Sequence, residues 1–230
     1  MNAIRRDENP DCLHSIYVDQ WDWEKIILPE ERSLGTLTEA AKRIMDALGE
    51  SEEALCLRFS QIKPFLPREL FTVSAEELAA RWPNLSPKER EDAICKEKKA
   101  VFLTGIGGRL SDGKPHDLRA PDYDDWDKNG DLLIWYPVLS RAVEVSSMGI
   151  RVDAPALRRQ LEEAGCGARA ALPFHAALLN GELPQTMGGG IGQSRICMLL
   201  LQKAHIGEVQ ASAWPEGMRA ACRKAGVPLL

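Results

Sequence analysis

Two strand-like runs, "DLLIWYPVL" from Asp131 and "RAVEVSSMGIRV" from Arg141, follow one another with almost nothing between them. Strands joined by so short a turn lie antiparallel, because a parallel pair needs a crossover of a dozen or more residues. The chain opens in the same way. "IRRDENPDCLHSIYVDQWDWEKI" reads as a strand, a polar turn at Asn9-Pro10-Asp11 and a longer strand. "FTV" at 71–73, "AVFLTGI" from Ala100 and a short strand at Thr186 add further β segments, with no regular strand–helix–strand alternation. The expectation is an α+β fold, an antiparallel sheet flanked by helices, in a single domain over residues 1–230.

The helices are marked by their ends. "TLTEAAKRIMDALGESEEAL" carries Leu37, Ala41, Ile44, Met45 and Leu48 at helical spacing, with Gly49 read as lying near its end. Ser74 with Glu77, and Ser86 with Pro87 and Glu89, are capping signatures for helices reaching Arg81 and Lys98. Asp153 and Pro155 open a helix that Gly165 closes, and another covers about 169–180. "TMGGGIGQSRICMLLLQ" passes from a short strand through glycines into an apolar helix, and "GGRLSDGKPHDLRAPDYDDWDKNG" reads as one long loop.

Composition removes several classes of function. A net charge of −5 without a basic run gives no grip on a phosphate backbone, so nucleic acid is not an expected partner. Six scattered cysteines and four scattered histidines fit neither a zinc site nor a disulfide framework, and reduced thiols are expected. No apolar run approaches a bilayer span and "MNAIRRDENPD" lacks an apolar leader, which together point to the cytoplasm and no membrane.

Four clusters carry chemistry. On a strand through "QWDWE", Gln20, Asp22 and Glu24 face one way and Trp21 and Trp23 the other. The acids face either solvent or, if the tryptophans mark a central buried strand, a ligand. "GGGIGQSR" places Gly188, Gly189, Gly190 and Gly192 before a helix that carries Arg195, either to let a ligand approach the backbone or for packing alone. It is neither a Walker loop nor a dinucleotide fingerprint. "RAPDYDDW" holds Arg119, Asp122, Asp124 and Asp125, as a site or as a solvated ion-pair network. "EVSSMGIR" holds Glu144, Ser147 and Arg151; the seven-residue offset of Glu144 and Arg151 demands a bulge, expected near Gly149, before both can share a pocket.

The order of these segments resembles motifs 2 and 3 of class II aminoacyl-tRNA synthetases: "RRDE" at 5–8, the turn, "QWDWE" at 20–24, and a glycine-rich strand entering the helix of Arg195. Within that superfamily the chain resembles the ammonia-dependent asparagine synthetases, or aspartate–ammonia ligases. "LHSIYVDQWDWE", "FLTGIGGRLSDG", "HDLRAPDYDDW", "SSMGIRVDA" and "PQTMGGGIGQSR" carry the resemblance over almost the whole chain. It implies activation of L-aspartate by ATP to a β-aspartyl-adenylate, with Mg²⁺, release of pyrophosphate, and displacement of AMP by ammonia. By the same matching, Arg5 and Arg195 are the catalytic arginines, with Arg6 an alternative to Arg5. Glu8, His14, Gly190 and Gly192 complete the ATP contacts. Gln20, Asp22, Arg119, Asp124, Ser147 and Arg151 correspond to aspartate-binding positions, Arg151 to the one that meets the side-chain carboxylate, and Asp131 and Glu144 to the metal-holding carboxylates.

Members of the family begin upstream. The resemblance therefore implies that motif 1, part of the homodimer interface and pocket residues including an aspartate and a lysine lie outside these 230 residues. The segment between Trp126 and Gly130 is shorter than the family pattern. An open sheet edge at the Arg5 strand, low solubility, an altered dimer and impaired catalysis are the expected consequences. A non-catalytic nucleotide- or amino-acid-binding paralogue is the alternative reading, and a tRNA synthetase a third, against which the acidic balance counts.

Overall fold

A computed structural model describes residues 1–230. Seven strands, β1 (Asn2–Ile4), β2 (Tyr17–Ile26), β3 (Phe71–Ser74), β4 (Ala100–Thr104), β5 (Asp124–Tyr136), β6 (Arg141–Arg151) and β7 (Thr186–Gly192), form one sheet in the order β1-β2-β7-β6-β5-β4-β3. Six of the seven helices are α1 (Leu34–Arg58), α2 (Ala75–Arg81), α3 (Pro87–Lys98), α4 (Ala154–Glu163), α5 (Pro173–Leu179) and α6 (Gln193–Leu200); α7 (Glu216–Lys224) is the last. Every neighbouring pair is antiparallel except β3 and β4, whose connection through α2 and α3 is long enough to allow a parallel pairing. The expected antiparallel sheet is thus a mixed one with a single parallel pair at its edge.

On one face, α1 and α6 close a core of 22 buried residues that includes Leu37, Met45, Phe102, Ile134, Met148 and Met187. On the other, α2 and α3 cover β3, β4, the adjoining part of β5 and the start of β6, through Leu78, Ile94, Leu103, Leu133 and Ala142. The rest of that second face, over β6, β7 and β2, carries the polar residues of the site. The capping signatures are realised: Ser74, Ser86 and Asp153 each accept a backbone N–H at the start of α2, α3 and α4. No helix is long and apolar enough to cross a membrane.

Four local expectations are corrected. Gly49 does not lie near the end of α1, which runs to Arg58 because Glu52, buried on its inner face, accepts the backbone N–H groups of Phe65 (2.8 Å) and Leu66 (3.1 Å). The stretch 169–180 is not one helix; a 3₁₀ turn over Gly167–Ala171 gives way to α5, which starts at Pro173. The long loop ends at Tyr123, since Asp124–Gly130 belongs to β5. Trp21 is 54% exposed and β2 is not central, because β1 reaches only as far as Tyr17–Asp19 and leaves Trp21–Ile26 beyond it. The expected open edge at the Arg5 strand is the outer edge of β1 together with that stretch of β2.

Candidate active site

Directly opposed residues of neighbouring strands share a face, so the register fixes the floor of the site. One row runs Asp22–Gly190–Ser147–Asp131–Leu103 across β2, β7, β6, β5 and β4. The next runs Glu24–Gly188–Gly149–Asn129. Gln20 opposes Gly192. Of the glycines of β7 that oppose Gln20, Asp22 and Glu24, Gly190 leaves room for the Gln20 and Asp22 side chains and Gly188 for those of Glu24 and Arg151, while Gly189, on the other face, is packed against Met148.

Glu144 and Arg151 do reach one face, through a bulge. Leu132 pairs with Ser146 and Leu133 with Glu144, so Val145 is the extra residue. The bulge lies four residues before the expected Gly149. It turns the offset between Glu144 and Ser147 into one that a pleated strand can share.

Two cavities meet on this floor. The first, of about 290 Å³, is lined by Arg5, Glu8 and His14 from the β1–β2 turn, by Glu144 and Ser147, and by Gly190, Gly192 and Arg195. The second, of about 270 Å³, is lined by Asp22, Tyr123, Asp124, Arg151 and Gly189. Gln20, Arg119, Ser147 and Gly190 line both. Of the site residues expected from sequence, all but Arg6 and Asp131 thus stand on the walls of one double chamber. Arg6 points away, with a side chain 88% exposed and paired with its neighbour Asp7. Of the two candidate arginines, Arg5 is the one on the wall.

Asp131 stands off both cavity walls. It continues the row beyond Ser147, and its Oδ2 accepts from Nη2 of Arg119 at 2.6 Å, while its Oδ1 is buried without a partner. Burial and the nearby charge of Glu144 push its carboxyl up, against the pull of Arg119. An acid so placed holds Arg119 in position. Arg119 also donates to Ser147 Oγ at 2.9 Å and pairs with Asp117 at 3.3 Å.

The acids of "DYDDW" separate by partner. Asp122 takes His175 and Arg169, and Asp125 is buried among Arg32 and Lys128. Only Asp124 reaches the second chamber, where it pairs with Arg151. Burial pushes the Asp124 carboxyl up, opposed by Arg151.

Arg195 donates to the Glu144 backbone carbonyl at 2.8 Å and stands 3.9 Å from its carboxylate. Arg5 is 3.4 Å from Glu8, and His14 Nδ1 lies 2.8 Å from Asp11. Sequence reasoning missed Asp19 and Gln210. Asp19 lines the first chamber and accepts from the backbone N–H and hydroxyl of Ser194 and from Gln210. The chamber wraps around the end of β2 to the start of α6.

No group of three or more His, Cys, Asp or Glu is arranged to hold a metal by itself. Glu144, 34% exposed on the first chamber, supplies one hard oxygen ligand. That fits Mg²⁺, which commonly takes one or two carboxylates and completes its shell with phosphate oxygens and water.

A family model described as aspartate-ammonia ligase matches residues 1–226. An aspartate–ammonia ligase of Lactobacillus johnsonii is 58% identical over 231 residues, covering 100% of this chain and 69% of that protein. One from Clostridium perfringens is 56% identical over 230 residues, covering 100% and 68%. Among solved structures, asparaginyl-tRNA synthetase from Pyrococcus horikoshii in complex with asparaginyl-adenylate superposes with a TM-score of 0.67 at 14% identity, covering 94% of this chain and 52% of its own. Aspartyl-tRNA synthetase from Entamoeba histolytica gives 0.65 at 16%, covering 91% and 45%. At these identities the likeness is one of fold, that of class II synthetases.

Proposed function

The chain belongs to the aspartate–ammonia ligase family, and on that premise we propose how its double chamber makes L-asparagine from L-aspartate, ATP and ammonia. The observation that supports the assignment of chambers is their shared wall. Gln20, Arg119, Ser147 and Gly190 face both, so a nucleotide in the first and an amino acid in the second meet where a guanidinium is fixed.

In the first step an oxygen of the aspartate β-carboxylate bonds to the α-phosphorus as the bond to the pyrophosphate oxygen breaks. In the second, ammonia nitrogen bonds to the activated carbonyl carbon, AMP departs with the bonding electrons, and the nitrogen loses a proton. Two anions must approach in the first step, so fixed cations dominate the barrier. Arg5 and Arg195 flank the phosphates, Arg195 with its plane set by the Glu144 carbonyl. Arginine suits that task through its rigid two-pronged donors. Arg119, held between Ser147 and Asp131, stands at the junction and needs no reorganisation as charge shifts. Glu144 would hold Mg²⁺, which when bound neutralises the outer phosphates. Asp22 receives the substrate ammonium, and Arg151 the carboxylate that reacts. These groups sit on strands, where placement is tighter than on loops.

Arg195→Ala is expected to abolish aspartate-dependent exchange of pyrophosphate into ATP, with the fold retained by circular dichroism. Exchange at an undiminished rate refutes the assignment, and failure of the unaltered chain to bind L-aspartate and ATP refutes the two-chamber reading. Ammonia-dependent formation of asparagine and AMP checks the second step, and sedimentation tests the homodimer that goes with the family. The match over the whole chain does not favour a non-catalytic paralogue.

A further inference from the structure

Gly149 of β6 and Gly188 of β7 face each other directly in the sheet, and neither is there for a turn. A Cβ on Gly188 would run into the Glu24 carboxylate and the Arg151 guanidinium; a Cβ on Gly149 would run into the Asp124 carboxylate. The two missing side chains leave a notch, and Glu24, Arg151 and Asp124 fill it.

Within the notch, Nε and Nη2 of Arg151 donate to Glu24 at 3.1 and 2.8 Å, Nη1 donates to Asp124, and the Tyr123 ring lies 4.0 Å from the guanidinium carbon. A guanidinium has five N–H donors. Glu24 and Asp124 engage three of them, which leaves one on each terminal nitrogen, the pair that grips a carboxylate end-on. Asp124 and Arg151 line the second chamber; Glu24 does not, and meets Arg151 from behind.

We propose that Glu24 is a positioning residue for aspartate: with the Gly149–Gly188 notch it clamps the side edge of Arg151 so that the remaining fork faces the substrate carboxylate. The proposal rests on the reading that Arg151 receives that carboxylate. Glu24 is 48% exposed and stands at the stretch of β2 beyond β1, whereas Asp124 is buried. The clamp is therefore the member of the trio that can be altered with the least effect on folding.

The experiment measures the KM for L-aspartate and for ATP by pyrophosphate exchange in Glu24→Gln, Gly188→Ala and the double variant, with Arg151→Lys alongside. Glu24→Gln keeps the shape and loses the charge. It is expected to raise the aspartate KM about tenfold, the size of one hydrogen bond to a charged group, with the ATP KM unchanged. Gly188→Ala should do the same by closing the notch, and the double variant should be no worse than Gly188→Ala alone. A purely structural role would lower the active fraction and leave the KM values where they were. An aspartate KM unchanged or lowered in Glu24→Gln overturns the proposal, a lowered one meaning that Glu24 competes with the substrate. Arg151→Lys separates the two ideas. If it leaves the aspartate KM unchanged, the reading of Arg151 has failed; if it raises KM while Glu24→Gln does not, only the clamp has failed.

Discussion

Replacing Asp131 by alanine removes the one buried acceptor that Nη2 of Arg119 has, a contact of 2.6 Å with a side chain only 7% exposed. What remains to the guanidinium is the Ser147 hydroxyl at 2.9 Å and the largely solvated Asp117 at 3.3 Å, and its Nε is already buried without a partner. Breaking a buried pair from one side costs about 3–5 kcal/mol; the surviving contacts put this case near 3 kcal/mol. That is a large share of a domain's margin of about 5–15 kcal/mol. The contact is robust to protonation, because a proton on Oδ1, the oxygen without a partner, leaves Oδ2 as acceptor. Asp131→Asn keeps the shape and a hydrogen bond from the charged guanidinium to a neutral acceptor, so it should lose roughly half as much. Urea unfolding gives the free energies, and pyrophosphate exchange gives the kinetic side. The aspartate KM should rise in both variants while the Mg²⁺ dependence stays put, since Asp131 lies off the cavity wall. A loss below about 1 kcal/mol in Asp131→Ala, within the range of ordinary surface changes, would refute the strut. A shifted Mg²⁺ requirement would return Asp131 to the metal.

Glu144→Gln should show the converse, a roughly tenfold rise in the Mg²⁺ needed for half-maximal exchange with stability unchanged, since the amide is a weaker ligand for a hard cation. Burial raises the Glu91 carboxyl, but His116 at 3.0 Å and Lys88 at 2.9 Å outweigh it and hold the group below its ordinary 4.5. Its contribution to stability is therefore present above pH 4.5 and lost as pH falls through the depressed value. Urea midpoints of the unaltered chain and of Glu91→Gln should differ at pH 7 and converge on acidification; a constant difference down to pH 3 would count against the pair. Gly149→Ala drives a methyl into the buried Asp124 carboxyl, and overpacking of this kind costs about 2 kcal/mol, read in the same unfolding assay.

What could be read without coordinates is set by the range of each signal. Caps act over three residues, so Ser74 with Glu77 and Ser86 with Glu89 were legible as they stand. Alternation along β2 separated Gln20, Asp22 and Glu24 from the tryptophans, but whether that strand is central depends on how far β1 runs beside it, and no local pattern records this. The parity of Glu144 and Arg151 required a bulge without placing it, and the expected position near Gly149 was wrong, because an extra residue anywhere between them restores the phase; the pairing of Leu132 with Ser146 and of Leu133 with Glu144 puts it at Val145. The setting of Asp131 was out of reach for a related reason. A carboxylate on a strand reads alike whether it lines a cavity or stands off one, and only the arginine arriving from residue 119 decides. The same holds for Gly149 and Gly188, thirty-nine positions apart by their numbers, whose meaning lies in facing each other. Chemistry that depends on residue type survives reading in one dimension; chemistry that depends on which residue stands across the sheet does not. The double chamber is of the second kind, since its floor brings Asp22, Gly190 and Ser147 together from three strands. A substitution that shifts one strand by one residue should therefore disable it while leaving every motif intact.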